Sequence, residues 1–484
     1  MKEAPSTTET EIDQVKLKTR LAFGMGSTAE TICLYSFGLL SMLYYNQVLG
    51  LSATLAGLAP TLALLFDAVS DPLIGSISDR FKSKKWGRRH PFMLIAPLPI
   101  ALCFFAVFNP PTELEGTGLF LWFAGFSVAL RTFMTLFHVP HLALGGELSS
   151  NYFERSKIMS YNNFFGWIGG AGTHYVSLTF AFAATATYAN GLLNPDAYPV
   201  FAAIAAVIVF VILYSSAWFT RDQIPRLSQP AANNPPFSYR AFIADLKAVL
   251  KNRNYVFLLV ALFMLSVMIG IRTAFNLYMN TYYWEFLPSQ IALFVLGSAV
   301  GYFAAFSFTA PLHRRFDKRE TMIASAVALS VVPAMPVILR MFGYFPDNGD
   351  SMLLPTMILF SGLTGIGGAI LNISVMSSLA DVADENELLY GHRQEGMLYA
   401  ARTFFAKADN ALGHFLAGIT LDLIQFPEKS KPGEVDADVL YWLGMIDSPI
   451  SIIPGLLAAC FYAGYRINRK RHREIQQQLV DRDG

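Results

Sequence analysis

Charge is what this sequence has least of. Asp, Glu, Lys and Arg make up only 15% of its 484 residues, against roughly 25% in soluble domains, and that scarcity excludes a large soluble enzyme. The few charges nearly cancel, leaving a net +1, so neither a nucleic-acid surface nor an acidic tail is suggested. Cysteine is scarce as well. Cys33, Cys103 and Cys460 all fall inside apolar stretches, where they read as small buried hydrophobes without a disulfide framework. The N-terminal run MKEAPSTTETEIDQVKLKTR has no apolar core and no small-residue cleavage site. It does not read as a removable signal peptide, so the first span itself is expected to direct insertion. GxSxG, HExxH, Walker and CxxC patterns are missing too, which leaves a membrane-embedded enzyme without a catalytic motif.

Apolar residues are abundant, at 54%. A spanning helix needs about 20 of them in succession, and twelve stretches qualify: 20–45, 55–78, 91–109, 118–147, 158–185, 199–219, 255–285, 291–312, 322–342, 353–380, 395–425 and 440–465. The expected fold is an all-α membrane protein of twelve helices. Lys and Arg concentrate on one side, in the N-tail, the 79–90 and 313–320 loops and the 465–484 tail. The connections at 46–54, 110–117, 186–198 and 286–290 carry none. Positive loops stay cytoplasmic, so both termini are expected there, in a cell inner membrane.

The break at 220–254, with Pro235-Pro236, divides the spans six and six. The organisation expected is a cytoplasmic N-tail (1–19), a six-helix bundle (20–219), a central loop (220–254) with an interfacial helix, a second bundle (255–465) and a basic tail (466–484). Within the loop, Phe242, Ile243, Leu246, Val249 and Leu250 recur at helical spacing. DRFKSKKWGRR follows the second span and HRRFDKRE the eighth, which points to duplicated halves with pseudo-two-fold symmetry and a substrate site between them.

Ionisable groups inside spans are costly and mark function. At 1.5 Å per helical residue, Glu30 and Thr31, Asp67, His138 and Lys407 all lie ~15–18 Å from the cytoplasmic end of their spans, so polar groups from four helices converge at one depth. Asp67 and Asp71 are four apart on one helix face. Two carboxylates there repel unless a proton or cation joins them, and hard oxygen ligands without a Cys or His cluster suit Na+ or H+. The alternative for Asp71, followed by Pro72, is that it caps a helix break.

The run FDAVSDPLIGSISDRFKSKKWGRRHPFMLIAP, with FHVP at 137–140 and LADVADENELLYGHRQEG leading into ARTFFAKADNA at 401–411, resembles the glycoside-pentoside-hexuronide:cation symporters. This is the family of the melibiose permease within the major facilitator superfamily, and the resemblance covers essentially the whole chain. It implies Asp67 and Asp71 as coupling-cation ligands, binding Na+ if the chain is sodium-coupled, with Ser70 and Thr135 as neighbouring oxygens. It also implies Lys407 near both cation and sugar. The family's sugar-gripping carboxylates in the first and fourth spans and its arginine in the fifth are replaced by Thr31, His138 and Asn163. Glu30, Arg131, Trp167 and Arg402 join these three and Lys407 as expected substrate contacts, while Arg131, His141, His174 and Arg272 are equally candidates for helix pairing. Gly75, Asp79, Arg80, Arg88 and Arg89 resemble the superfamily's gating loop, where charge pairs latch the halves.

Together these features imply a monomeric secondary transporter, coupling Na+ or H+ to uptake of a glycoside or related sugar by alternating access. It would use no cofactor and bind no nucleic acid, its partners being a small-molecule substrate and the lipid bilayer. The missing galactoside clamp leaves a lysolipid or other amphiphile as the second cargo. The orientation is testable by cysteine labelling. In right-side-out vesicles, a membrane-impermeant maleimide should modify Thr112→Cys and leave Ser83→Cys unmodified, and the reverse pattern would invert the topology.

Overall fold

The structure is a computed structural model that describes residues 15–83, 85–149, 151–227, 247, 250–391, 398, 402 and 412–483. Among the described residues there are helices and no strands. In chain order the longer helices are α1 (Leu17–Leu43), α2 (Ala53–Arg80), α3 (His90–Ile95), α4 (Pro97–Val107), α5 (Gly116–Glu147), α6 (Tyr152–Val176), α7 (Ala197–Thr220), α8 (Arg253–Tyr278), α9 (Phe294–Arg315), α10 (Lys318–Val331), α11 (Met335–Met341), α12 (Leu353–Tyr390), α13 (Leu412–Leu423), α14 (Ala437–Met445), α15 (Ile452–Tyr462) and α16 (Arg469–Asp483). Among the described residues, eight stretches are long and apolar enough to cross a membrane. With α1, α6, α13 and the α3–α4 pair they make up the twelve expected. The central-loop helix expected over 242–250 lies outside the described residues apart from Lys247 and Leu250, and so does Lys407.

Departures from the expected spans have local causes. Pro97 follows the break between α3 and α4, and Pro333 and Pro336 interrupt the 322–342 stretch with a 3-10 turn at Val332–Ala334, because proline removes a ladder donor and crowds the preceding turn. Helix α12 runs ten residues past the apolar stretch, through LADVADENELLY, and stops at Gly391 with φ 76°. The left-handed cap there suits glycine. Hydropathy ends where lipid ends, but a helix can project into water. The expected basic tail is also helical: α16 buries Ile475 in the core with Tyr465 and Leu379, while Arg469 pairs with Asp317 at 3.0 Å.

By contact the chain divides into two compact units, Met1–Leu51 with Leu62–Phe237, and Ser52–Thr61 with Ser238–Gly484. In the first, α1 packs along α6 and α7. In the second, α9 packs along α12, and α8 and α10 along α15. Lipid offers helices no hydrophobic reason to associate, so close approach through small residues carries the packing. At Gly169 on α6 an added Cβ would lie 2.5 Å from the Thr28 carbonyl and 2.9 Å from Thr28 Cα, both backbone of α1. At Gly301 on α9 it would strike the Gly362 carbonyl of α12.

The two units share a detailed backbone signature. Helix α1 ends in a π turn, Tyr44–Val48, and α8 in another, Met279–Tyr283. Leu49 N donates to Tyr44 O and Leu51 N to Tyr45 O; Trp284 N donates to Met279 O and Phe286 N to Asn280 O, at one constant offset. Gly50 and Glu285, again at that offset, both have positive φ, 80° and 53°. Side chains then diverge. Tyr45 stacks on Phe123 at 3.7 Å and Tyr44 on Tyr198 at 4.0 Å, filling the first unit's corner with rings, whereas the second unit has Met279 and Asn280 at the matching positions.

The glycine contact gives a stability test. Gly169→Leu should cost about 1–3 kcal/mol through overpacking against backbone that cannot withdraw, read as a lower melting temperature of the purified protein in detergent, while Gly172→Leu, with open space around its Cβ, should melt as the parent does.

Candidate cation and substrate site

Three rungs join α5 to its neighbours in the first unit. Arg131 forms an ion pair with Asp67 of α2. Thr135 Oγ1 donates to Asp71 Oδ1 at 2.8 Å, and His138 Nδ1 meets Glu30 Oε2 of α1 at 2.8 Å. Positions 131, 135 and 138 share one face of a helix. Asp67 and Asp71 advance in step with Arg131 and Thr135, so α2 and α5 run in the same direction, as the intervening α3–α4 span requires.

The first rung is deeply buried, with the Asp67 side chain 3% exposed and Arg131 10%. A charge at such depth persists only when paired. Arg131, expected to reach substrate, is here the counter-ion of Asp67. Ser70, expected as a further oxygen ligand, instead directs its hydroxyl at the Asp67 backbone carbonyl, 3.5 Å away.

Glu30 anchors the third rung. Its carboxylate lies between His138 and His141, whose Nδ1 is 3.3 Å from Glu30 Oε1. His141 Nε2 faces the Phe23 carbonyl at 2.8 Å, and a carbonyl only accepts, so that nitrogen carries hydrogen. The other ring nitrogen, Nδ1, then faces Glu30 Oε1 at 3.3 Å. Gly26 makes room for the ring, since a Cβ there would sit 2.7 Å from His141 Nε2. His138 differs from His141 in access: its side chain is 46% exposed and that of His141 1%.

The remaining expected contacts separate into three groups. Asn163 and Trp167, one helical turn apart on α6, are both exposed and share a face. The Thr31 hydroxyl donates to the Ser27 and Thr28 carbonyls of its own helix, each at 2.9 Å, and its side chain lies against Gly169, so it serves the α1–α6 seam. Arg402 is half-buried in the second unit, and Lys407 lies outside the described residues. Of the other polar groups, His174 meets the Tyr35 hydroxyl at 2.6 Å, and Arg272 donates to the Pro333 carbonyl at 2.8 Å.

The basic loop is organised by an acid that motif reading passed over. Glu147, at the end of α5, pairs with Arg88 at 2.8 Å and Arg89 at 2.9 Å. Arg89 also pairs with Asp79 and donates to Ser78 Oγ at 2.7 Å. These bonds tie α2, α3 and α5 within the first unit. Arg80 is exposed and Gly75 makes ordinary contact with Val139, 3.5 Å from its would-be Cβ. The signal for Glu147 was its place: an acid closing the fourth apolar stretch, level with the basic loop.

A family model for MFS/sugar transport proteins matches residues 22–469. The chain belongs to this family. Its curated relatives include a symporter of Synechocystis, 26% identical over 97% of this chain and 98% of that protein, and an inner membrane symporter of Escherichia coli, 24% identical over 97% and 98%. A third, the isoprimeverose transporter of Lactiplantibacillus pentosus, is 23% identical over 82% and 78%. Among solved structures, a bacterial homologue of the lysosomal transporter Spinster aligns with a TM-score of 0.66 at 13% identity, covering 96% of this chain and 99% of that one. The inward-open xylose transporter XylE of E. coli aligns with a TM-score of 0.59 at 16% identity, covering 95% and 98%. The protein is thus a transporter of the MFS/sugar transport family, a multi-pass membrane protein and not an enzyme.

For this MFS protein the buried pair makes a sharp stability forecast. Arg131→Met alone should destabilise by ~3–5 kcal/mol, by stranding Asp67 in a dry site. Adding Asp67→Asn should restore most of the loss. Thermal unfolding in detergent decides it, and a double variant as unstable as the single would mean the pair carries no such load.

Proposed function

We propose that the protein is a proton-coupled symporter of a neutral glycoside. One observation carries the choice of ion: Arg131 already occupies Asp67. A sodium ion would need several oxygens at that position and would have to displace or share space with a guanidinium. A proton needs no coordination shell. Arriving on Asp67, it removes the carboxylate charge that holds Arg131, and α5 then exchanges one polar partner for another. Asp71 with Thr135 forms the adjoining part of the coupling site. Sodium coupling through Asp67 and Asp71 is the alternative that the measurement below separates.

Neutrality of the cargo follows from the same bookkeeping of charge. Arg131 is paired with Asp67, and Glu30 lies between His138 and His141, so the guanidinium and one imidazolium are each matched by a carboxylate within the protein. The exposed pair Asn163 and Trp167 supplies what a sugar ring uses, an amide for hydroxyls and an indole for its apolar face. His138, exposed yet held by Glu30, would donate to a hydroxyl from the same cavity. Arg402 and Lys407 remain proposed substrate contacts on the strength of the family resemblance. A sugar as cargo also agrees with the isoprimeverose transporter among the relatives. Glu147, with Gly75, Asp79, Arg80, Arg88 and Arg89, would govern switching between the two access states. The two six-helix halves rock, both termini lie in the cytoplasm, and the protein works as a monomer in the inner membrane.

Purified protein in liposomes should accumulate labelled isoprimeverose or a methyl xyloside when an inward proton gradient is imposed. Asp67→Asn should reduce gradient-driven uptake at least a hundredfold while leaving counterflow exchange within about tenfold of the parent. Accumulation driven by sodium at equal pH would overturn proton coupling, and uptake of lysophosphatidylcholine in place of sugars would overturn the cargo.

A further inference from the structure

The second unit contains a cavity of about 330 Å³ that shares no residue with the Asp67 network. Three interruptions of α-helix meet around it: the π turn Met279–Tyr283, the 3-10 turn Val332–Ala334 and the π turn Ile446–Ile450. They contribute Asn280, Pro333 and Asp447 to its wall. Irregular backbone at membrane depth is tolerated where it lines a polar cavity, and π turns concentrate at functional sites. Three of them converging on one hollow is what a binding site would require and what simple packing does not explain.

The wall carries an ion pair with capacity to spare. Arg272 lies 3.6 Å from Asp447, beyond hydrogen-bond length, while its Nη1 is buried and makes no hydrogen bond among the described residues. The amides of Asn276 and Asn280 and the rings of Trp284 and Phe360 face the same space. The matching corner of the first unit is solid. Where Asn280 stands, that unit has Tyr45, stacked on Phe123 and hydrogen-bonded to the Val107 carbonyl at 2.7 Å. The hollow is therefore a specific property of the second half, opened by a small amide where its counterpart has a ring.

We propose that this cavity binds a neutral, monosaccharide-sized polyol whose adjacent hydroxyls bridge Arg272 and Asp447. The pair sums to zero charge, so a neutral ligand leaves no uncompensated ion in the bilayer. One hydroxyl oxygen accepts from the Arg272 guanidinium and its neighbour donates to the Asp447 carboxylate. An anion would satisfy the guanidinium but face the carboxylate. The volume sits at the low end of the roughly 300–1,000 Å³ of small-molecule sites, which suits one sugar ring better than a larger glycoside. Trp284 and the phenyl rings supply the apolar face that a pyranose presents. The proposal goes beyond the coupling mechanism and stands whichever ion drives transport.

Trp284 makes the site observable. Full-length protein in detergent is titrated with methyl β-D-xylopyranoside, and Trp284→Phe identifies the contribution of that indole to the fluorescence change. A saturable Trp284 signal is expected. Its apparent Kd should rise at least tenfold in Asn280→Tyr, which installs the first unit's residue, and in Thr364→Leu, and stay within twofold in Gly172→Leu, which lies in the first unit with open space around it. Arg272→Lys conserves charge but shortens the donor arm, so it should also weaken binding tenfold even if the filled variants unfold. Absence of a saturable signal, unchanged binding in Arg272→Lys, or tighter binding of glucuronate than of the xyloside would overturn the proposal.

Discussion

A carboxylate inside a bilayer needs a partner, and the arrangement of the first unit follows from satisfying that need at Asp67. Its partner, Arg131, is itself a charge that cannot stand alone at that depth, so the two fix the register of α2 against α5. Once that register is set, Thr135 falls opposite Asp71 and His138 opposite Glu30. The three contacts are then consequences of one pairing and a helical repeat. Glycines on α6 hold α1 close, which keeps Glu30 within reach of both histidines.

Pairing also changes what the site can attract. A bare pair of carboxylates would bind a metal ion by charge alone, whereas a carboxylate answered by arginine discriminates by mechanism. A species that enters must break an existing bond, and the proton does so at the least structural cost. Glu30 repeats the logic on α1, where its carboxylate lies between the rings of His138 and His141.

Much of this was legible in the sequence, for reasons that can be named. Asp67 and Asp71 announced themselves because a carboxylate in an apolar stretch has no cheap explanation, and the long apolar stretches located the helices. Burial of Arg131 on Asp67 was not legible, because two residues 64 positions apart leave no local pattern when they meet. Thr31 was misread for a related reason: its position along the chain suggested the cavity, but rotation about α1 turned it to Gly169. Glu147 was hidden by the motif beside it, which drew attention to the bases and away from their acid. The length of α12 escaped hydropathy because its last turns are polar, and the proline breaks showed only in where the helices stop being α. The hollow beside Arg272 was beyond sequence reasoning, since it arises from a comparison between halves that share a backbone and differ in side-chain size.

The equal spacing of the rungs on α2 and α5 has a further consequence. Asp67 and Asp71 are separated by one turn, as are Arg131 and Thr135, so the two helices mate like the teeth of a rack. A slide of one turn, about 5.4 Å, would bring Asp67 opposite Thr135 and carry Asp71 to the level of His138, exchanging an ionic contact for a hydroxyl and a hydroxyl for an imidazole. The same slide would strand Arg131 without a carboxylate, so while Asp67 is ionised the ion pair pins the seam in one register, and only a change at that pair would free the two helices to move past each other.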